Sequence, residues 1–215
     1  RVFKVIDTES FIRKEGSIDA SNIQGNIEFN QVRFSYIKNE EVLKGISFQV
    51  QKGQTVAIVG ATGAGKSTII NLINRFYEID NGVISVDNIS VKEYELASLR
   101  NQIAIVLQEV FLFSDSIYNN ITLKNSQITL EEVEEAAKKI GIHHFIMTLP
   151  GGYHYNVKER GVMLSSGQRQ LIAFLRAYVS KPRILILDEA TSSVDSHAEK
   201  LIQFEIEMKQ REVHF

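Results

Sequence analysis

The spacing of apolar and polar residues changes several times along the chain, and each change predicts an element. Ile27 to Tyr36 places Ile27, Phe29, Val32, Phe34 and Tyr36 toward a core with a slip near Asn30, which predicts a half-exposed antiparallel strand. Val42 to Val50 continues in that style and turns at Lys52-Gly53. The apolar run Thr55 to Val59 predicts a further strand, and the amphipathic run Ser67 to Phe76 a helix. Val83 to Val86 and Ile103 to Leu107 are short β-branched runs of the kind buried in a mixed or parallel sheet. From Ser116 to Ile146 the pattern turns helical, with Thr129 as N-cap and Glu131 and Glu132 in the first turn. Gln168 to Val179 is another helix, stopped at Lys181-Pro182. Ile184 to Leu187 is a fully apolar strand, and Ser196 to Lys209 reads as a helix. Arg1 to Asn22 is polar and mixed, a linker with a short helical turn around Val2 to Ile6. No internal repeat interrupts this order.

Composition narrows the picture only in places. With 215 residues the chain can bury one good-sized core, and a formal net charge of −2 argues against a broad nucleic-acid footprint, which needs a basic face. Cysteine is absent, so disulfides, thiolate metal sites and cysteine nucleophiles are excluded. No apolar run approaches the roughly eighteen residues a membrane helix requires. Any membrane connection is therefore expected from another segment or another chain, and the start at Arg1 reads as an excision from something longer.

The chemistry concentrates at Gly60-Ala-Thr62-Gly63-Ala64-Gly65-Lys66-Ser67-Thr68. Small residues between a strand and a helix let the backbone close around a phosphate, with turn and helix N–H groups aimed inward. Lys66 adds a mobile charge for the β- and γ-phosphates, and the Ser67 hydroxyl is placed for Mg²⁺. The competing reading is a flexible glycine loop; a strand before and a helix after weigh against it. The pattern implies a nucleoside triphosphate. Ile184-Leu-Ile-Leu187-Asp188-Glu189 then sets two carboxylates at the end of a strand expected to be buried. Asp188 suits a metal held through water, and Glu189 suits a group that orients the attacking water. A solvated acidic turn is the bland alternative.

Between these motifs lies Leu164-Ser165-Ser166-Gly167-Gln168, followed by Arg169-Gln170. This segment resembles the LSGGQ signature of the nucleotide-binding domain of ATP-binding-cassette (ABC) transporters. Four further matches follow the family's order: the phosphate loop, Gln108 after Ile103-Ala-Ile-Val-Leu107, Tyr36 ahead of the phosphate loop, and Ser192-Ser193-Val194-Asp195 after the carboxylates. Lys158-Glu159-Arg160-Gly161 resembles the exporter loop that usually reads Gly-Glu-Arg-Gly, and Phe111-Leu112-Phe113-Ser114 resembles the exporter segment facing the membrane domain.

The resemblance implies an α/β fold: a P-loop NTPase core with a mixed central sheet, an N-terminal antiparallel β subdomain and a helical signature subdomain at about residues 113–170. It places residues 1–22 as a linker from a membrane domain and residues 23–215 as the ATPase domain, truncated at its C-terminus. It implies ATP and Mg²⁺ as cofactors. Tyr36 stacks on adenine; Gly60, Thr62, Gly63, Ala64, Gly65, Lys66, Ser67 and Thr68 bind the phosphates; Ser67, Gln108 and Asp188 serve the metal; Glu189, Gln108 and Lys66 are catalytic. Ser165, Gly167 and Gln168 close over the γ-phosphate bound by a second copy or a related chain. The Gln108–Phe113 region meets the membrane-spanning domain, although Phe111 to Phe113 can also be read as plain core packing. Hydrolysis of ATP by such a dimer would drive export at the cytoplasmic face of the cell membrane, with no nucleic acid involved.

Two departures stand out. Ser166 replaces the first glycine of the signature, where a Cβ would be strained if the position needs positive φ. The family's switch histidine lies beyond Phe215, and His214 is not assigned that role. His143, His144, His154 and His197 lack metal-ligand spacing. The alternatives are therefore a soluble, non-transport member of the cassette family, or a fragment that binds ATP with little hydrolysis.

Overall fold

The computed structural model describes Ile12 and residues 16–188. These fall into two compact units, one ending at Ile103 and one beginning at Ala104. The expected helix at Ser196 to Lys209 and the turn at Val2 to Ile6 lie outside the described residues, as do Glu189, Ser192-Ser193-Val194-Asp195, His197 and His214.

In the first unit, β1 (Ile27–Ser35), β2 (Glu41–Val50), β3 (Asn81–Val86) and β4 (Ile89–Ser90) form one sheet in the order β2-β1-β3-β4. Each neighbouring pair runs antiparallel. The slip read at Asn30 is a β-bulge: Phe29 pairs with Phe48 and Val32 with Ile46, so β1 carries one residue more than β2. Gln31 takes φ 48° there, and Ile27, Phe29, Val32 and Phe34 are all buried as the alternation required. Gly82 on β3 makes room for the bulge. A Cβ at Gly82 would lie 2.4 Å from the Gln31 carbonyl oxygen and 2.6 Å from that of Asn30. The first unit also holds α1 (Lys66–Ile73) and α2 (Leu96–Asn101).

Thr55 to Val59 is not a strand. Val56, Ile58 and Val59 are exposed, Val59 by 88%. Their β-branched pattern states a preference for a pleated, half-buried surface, but a strand also needs a ladder neighbour. Among the described residues the ladders close on other segments, and the mixed central sheet expected around this run is represented by a two-stranded sheet in the second unit.

That sheet pairs β5 (Ile103–Val106) with β6 (Ile184–Leu187), and β6 is not buried throughout as expected: Ile184 is buried, whereas Leu185 and Leu187 are exposed. Between the two strands the helical stretch is divided into three short helices: α3 (Ile117–Thr122), α4 (Leu130–Ile140) and α5 (His143–Thr148). Leu123 at φ 51° ends α3 and Gly141 at φ 87° ends α4, each in the left-handed region that stops a helix. Thr129 caps α4 as its sequence demanded, in a reciprocal box with Glu132. The longest helix among the described residues is α6 (Ser166–Val179), whose Ile172, Phe174 and Leu175 join Val106, Leu112, Ile117, Val133 and Ile146 in one buried cluster.

Candidate functional site

In the first unit the phosphate loop ends in an open helix N-terminus. Gly65, the residue before α1, has φ 91° and supplies no side-chain cap, and the first turn carries no acidic residue. Its orphan N–H groups and positive dipole end are thus left for an anion. Glycine is required at this position twice over: by the backbone angle, and because a Cβ would sit 2.8 Å from Leu43 Cδ2 on β2. The Ala64 N–H donates to the Ala61 oxygen at 3.1 Å, closing the turn. Lys66 Nζ donates to the carbonyls of Gly60 (2.7 Å) and Ala61 (3.2 Å), so its charge rests on the rim of its own loop. Ser67 is exposed; Thr68 is buried.

Tyr36 is tied to this helix. Its hydroxyl donates to Thr68 Oγ1 at 3.2 Å and accepts from Asn71 Nδ2 at 3.3 Å. Phe34 and Tyr77 hold its ring edge-on, with centroids 4.8 and 5.0 Å away. The ring stays 46% exposed. Asn71 and Tyr77 had escaped the sequence reading. Asn71 is signalled only by its helical spacing from Thr68, and Tyr77 by nothing local.

The second unit carries five predicted residues, Gln108, Ser165, Gly167, Gln168 and Asp188, at strand or helix ends. The Asp188 N–H donates to the Val106 carbonyl at 2.9 Å, so Asp188 and Gln108 emerge at the same end of the β5–β6 pair. Gln108 is exposed, and Asp188 is partly so. The signature segment builds the N-terminus of α6. Ser165 is the N-cap: its Oγ accepts the Gln168 N–H at 3.2 Å, while Gln168 Oε1 accepts the Ser165 N–H at 2.9 Å. Ser166 is the first helical residue and is not among the residues with positive φ, so serine there carries none of the backbone strain considered from the sequence. Gly167 lies in the same turn.

Phe111 and Phe113 are not core residues. They are 55% and 54% exposed and meet edge-to-face at 5.2 Å, while Leu112 between them is fully buried. The exporter-like loop just before α6 is strained: Lys158 stands at φ 61°, ψ −173° and Arg160 at φ 53°, ψ 16°. Gly161 at φ 65° packs so closely that a Cβ would lie 2.8 Å from Leu112 Cδ1. Among the described residues no group of three or more His, Cys, Asp and Glu side chains could hold a metal ion. No helix there is long and apolar enough to cross a membrane.

Comparison with known proteins agrees with this geometry. The chain is 47% identical over 191 residues to the Bacillus subtilis (strain 168) protein named "Putative multidrug export ATP-binding/permease protein YgaD", covering 88% of this chain and 33% of that protein. It is 46% identical over 204 residues to the "Uncharacterized ABC transporter ATP-binding protein YknV" of the same organism, covering 94% of this chain and 34% of that protein. The chain thus spans about a third of the length of the curated relatives it matches. A solved structure of a bacterial Atm1-family ABC exporter with ATP bound superposes with a TM-score of 0.89 at 38% identity, covering 97% of this chain and 37% of that one. The family description "ABC transporter" matches residues 43–192, which takes in the phosphate loop, Gln108, the signature helix and the strand ending in Asp188. With most of its length, and with the phosphate loop, Gln108, the signature and Asp188 inside that match, the chain belongs to the ABC transporter family.

Proposed function

We propose that this chain is the ATP-binding and ATP-hydrolysing domain of an exporter, attached to a membrane-spanning domain at the cytoplasmic face of the cell membrane. The observation that carries the reading is the uncapped N-terminus of α1 behind Gly65, with Lys66 folded onto the loop carbonyls. A triphosphate supplies stronger acceptors than Gly60 and Ala61, and Lys66 turns to it while the freed N–H groups bond its oxygens. The half-exposed Tyr36 ring, braced by Phe34 and Tyr77, offers an apolar face to the base.

The donor set fits Mg²⁺ brought in by the nucleotide and not a resident metal. Mg²⁺ is held by one or two protein oxygens together with phosphates. In the second unit Gln108 and Asp188 supply amide and carboxylate oxygens of that kind, and in the first unit Ser67 supplies a hydroxyl. When bound, the ion neutralises charge developing on the phosphates. Glu189 orients the attacking water in this reading.

The Ser165–Gln168 turn serves the nucleotide of a second, like domain. Ser165 Oγ uses one lone pair on the Gln168 N–H, which leaves its proton free to be donated to an anion, and the dipole of α6 favours that anion. The exposed Phe111 and Phe113 pair is the contact for the membrane domain. The relatives that carry export and permease in their name favour this reading over a soluble cassette protein. Titration with a fluorescent ATP analogue and Mg²⁺ tests it: binding saturates at one site per chain, and Lys66→Ala weakens it at least tenfold. Unchanged affinity in that variant refutes the proposal.

A further inference from the structure

The stretch from Leu107 to Asp115 has neither helix nor strand, so its main-chain groups need side-chain partners. Two residues supply several of them, beside the main-chain bonds that the Asp115 N–H gives to Phe113 and the Val157 N–H gives to Asp115. Asn120, fully buried on α3, accepts the Phe113 N–H through Oδ1 at 2.7 Å and donates through Nδ2 to the Phe113 and Ser116 carbonyls, both at 3.0 Å. Arg176, in the third turn of α6, donates through Nε to the Asn120 carbonyl at 2.8 Å and through Nη2 to the Phe111 carbonyl at 3.3 Å. The main chain is therefore gripped on both sides of the buried Leu112, and the two aromatic rings are turned outward.

Arg176 is an expensive group for this task. Burial alone pushes its guanidinium pKa down, and no carboxylate pairs with it among the described residues. Its planar fork reaches two carbonyls on different segments, which the single point of a lysine ammonium does not reproduce. The same rigid helix begins at the Ser165–Gln168 turn, eleven residues earlier, or about 16 Å along the axis.

We propose that Arg176 is the positioning residue of the docking surface. It fixes the Phe111–Phe113 pair to the helix that carries the signature turn, so that the two ends move as one body. The inference rests on the reading of that aromatic pair as the contact for the membrane domain. Asn120 is the intermediate through which the grip reaches Phe113.

The chain contains no tryptophan, so Phe113→Trp introduces a single reporter at the surface. In that background Arg176→Lys leaves the affinity for an ATP analogue within twofold and at least doubles the amplitude of fast indole motion in anisotropy decay. Indole motion equal to that of the Arg176 protein overturns the clamp. In the transporter carrying this chain, Arg176→Lys lowers the kcat for ATP about tenfold with KM within twofold. Phe113→Ala does the same, and the double variant is no slower than Phe113→Ala alone. Losses that multiply overturn the shared role. A Phe113→Ala transporter with native turnover overturns the docking reading and this role with it, whatever the anisotropy shows. Should Arg176→Lys fail to fold, hydrogen exchange of the unmodified chain decides. The Phe113 amide is then protected within tenfold of the Leu175 amide in α6, and exchange at the rate of a free loop overturns the proposal.

Discussion

Lys158→Gly should make this protein more stable. Lys158 occupies φ 61°, ψ −173°, a region that almost only glycine visits, and strain of that kind costs about 1–3 kcal/mol. The side chain is exposed, so its removal forfeits no core contact. The main-chain bonds stay: the Lys158 N–H donates to Asn156 Oδ1 at 2.9 Å, and its carbonyl accepts the Gly161 N–H at 3.3 Å. Glycine frees the unfolded chain by roughly 0.5–1 kcal/mol, which offsets part of the gain. At the midpoints a net stabilisation of roughly 1.2 kcal/mol remains, and at about 2–4 °C per kcal/mol for a chain of this size Tm rises by about 2.5–5 °C. Arg160→Gly is the control. Arg160 at φ 53°, ψ 16° lies in the ordinary left-handed well, where the glycine entropy offsets about half of a strain of about 1–2 kcal/mol, so its gain should be the smaller of the two. Thermal unfolding followed by circular dichroism measures both. A Tm for Lys158→Gly that is unchanged or lower would refute the strain argument.

The remaining expectations concern other parts of the molecule. Gly82→Ala drives a Cβ against the Gln31 carbonyl at a φ of +89°, and chemical denaturation should show a loss of at least about 2 kcal/mol. Asp115 is held down to about 2 from 3.8 by the Asn119 amide, the Lys124 ammonium and the Ser116 N–H. A depressed carboxyl stabilises the fold above its unfolded pKa and loses that contribution as pH falls through its folded one. Asp115→Asn should therefore flatten the Tm profile between about pH 4 and pH 2, and a parallel profile would contradict the linkage. Tyr36→Phe removes the hydroxyl bonds to Thr68 and Asn71 but keeps the ring, so affinity for an ATP analogue should fall less than threefold, whereas Tyr36→Ala should cost about tenfold or more. Equal losses in the two variants would show that the hydroxyl, not the ring, matters.

Where one local rule decides, the residues were legible in the sequence. The break in alternation at Asn30 gave the bulge in β1, Thr129 with Glu132 gave the cap of α4, and the glycines before Lys66 gave the open helix N-terminus. Thr55 to Val59 misled because β-branched composition reports a preference for burial and says nothing of the ladder partner a strand needs. The grip of Arg176 and Asn120 on the Phe111–Phe113 loop was invisible for a related reason. Its members are separated by 56 and 65 residues, and an arginine on an amphipathic helix looks like a solvated one. The outward turn of Phe111 and Phe113 was expected through the family resemblance alone, since by residue type two aromatic side chains around a leucine fit a core equally well. The doubt over Ser166 dissolved once the position proved to be the first residue of a helix, where serine is at ease.

The most direct test of the central claim is calorimetric titration of the chain with a non-hydrolysable ATP analogue and Mg²⁺, for the native protein and for Lys66→Ala. The account predicts one site per chain for the native protein and at least a tenfold weaker site in the variant, with both folded by circular dichroism. Equal affinities, or no heat from the native chain, would contradict it.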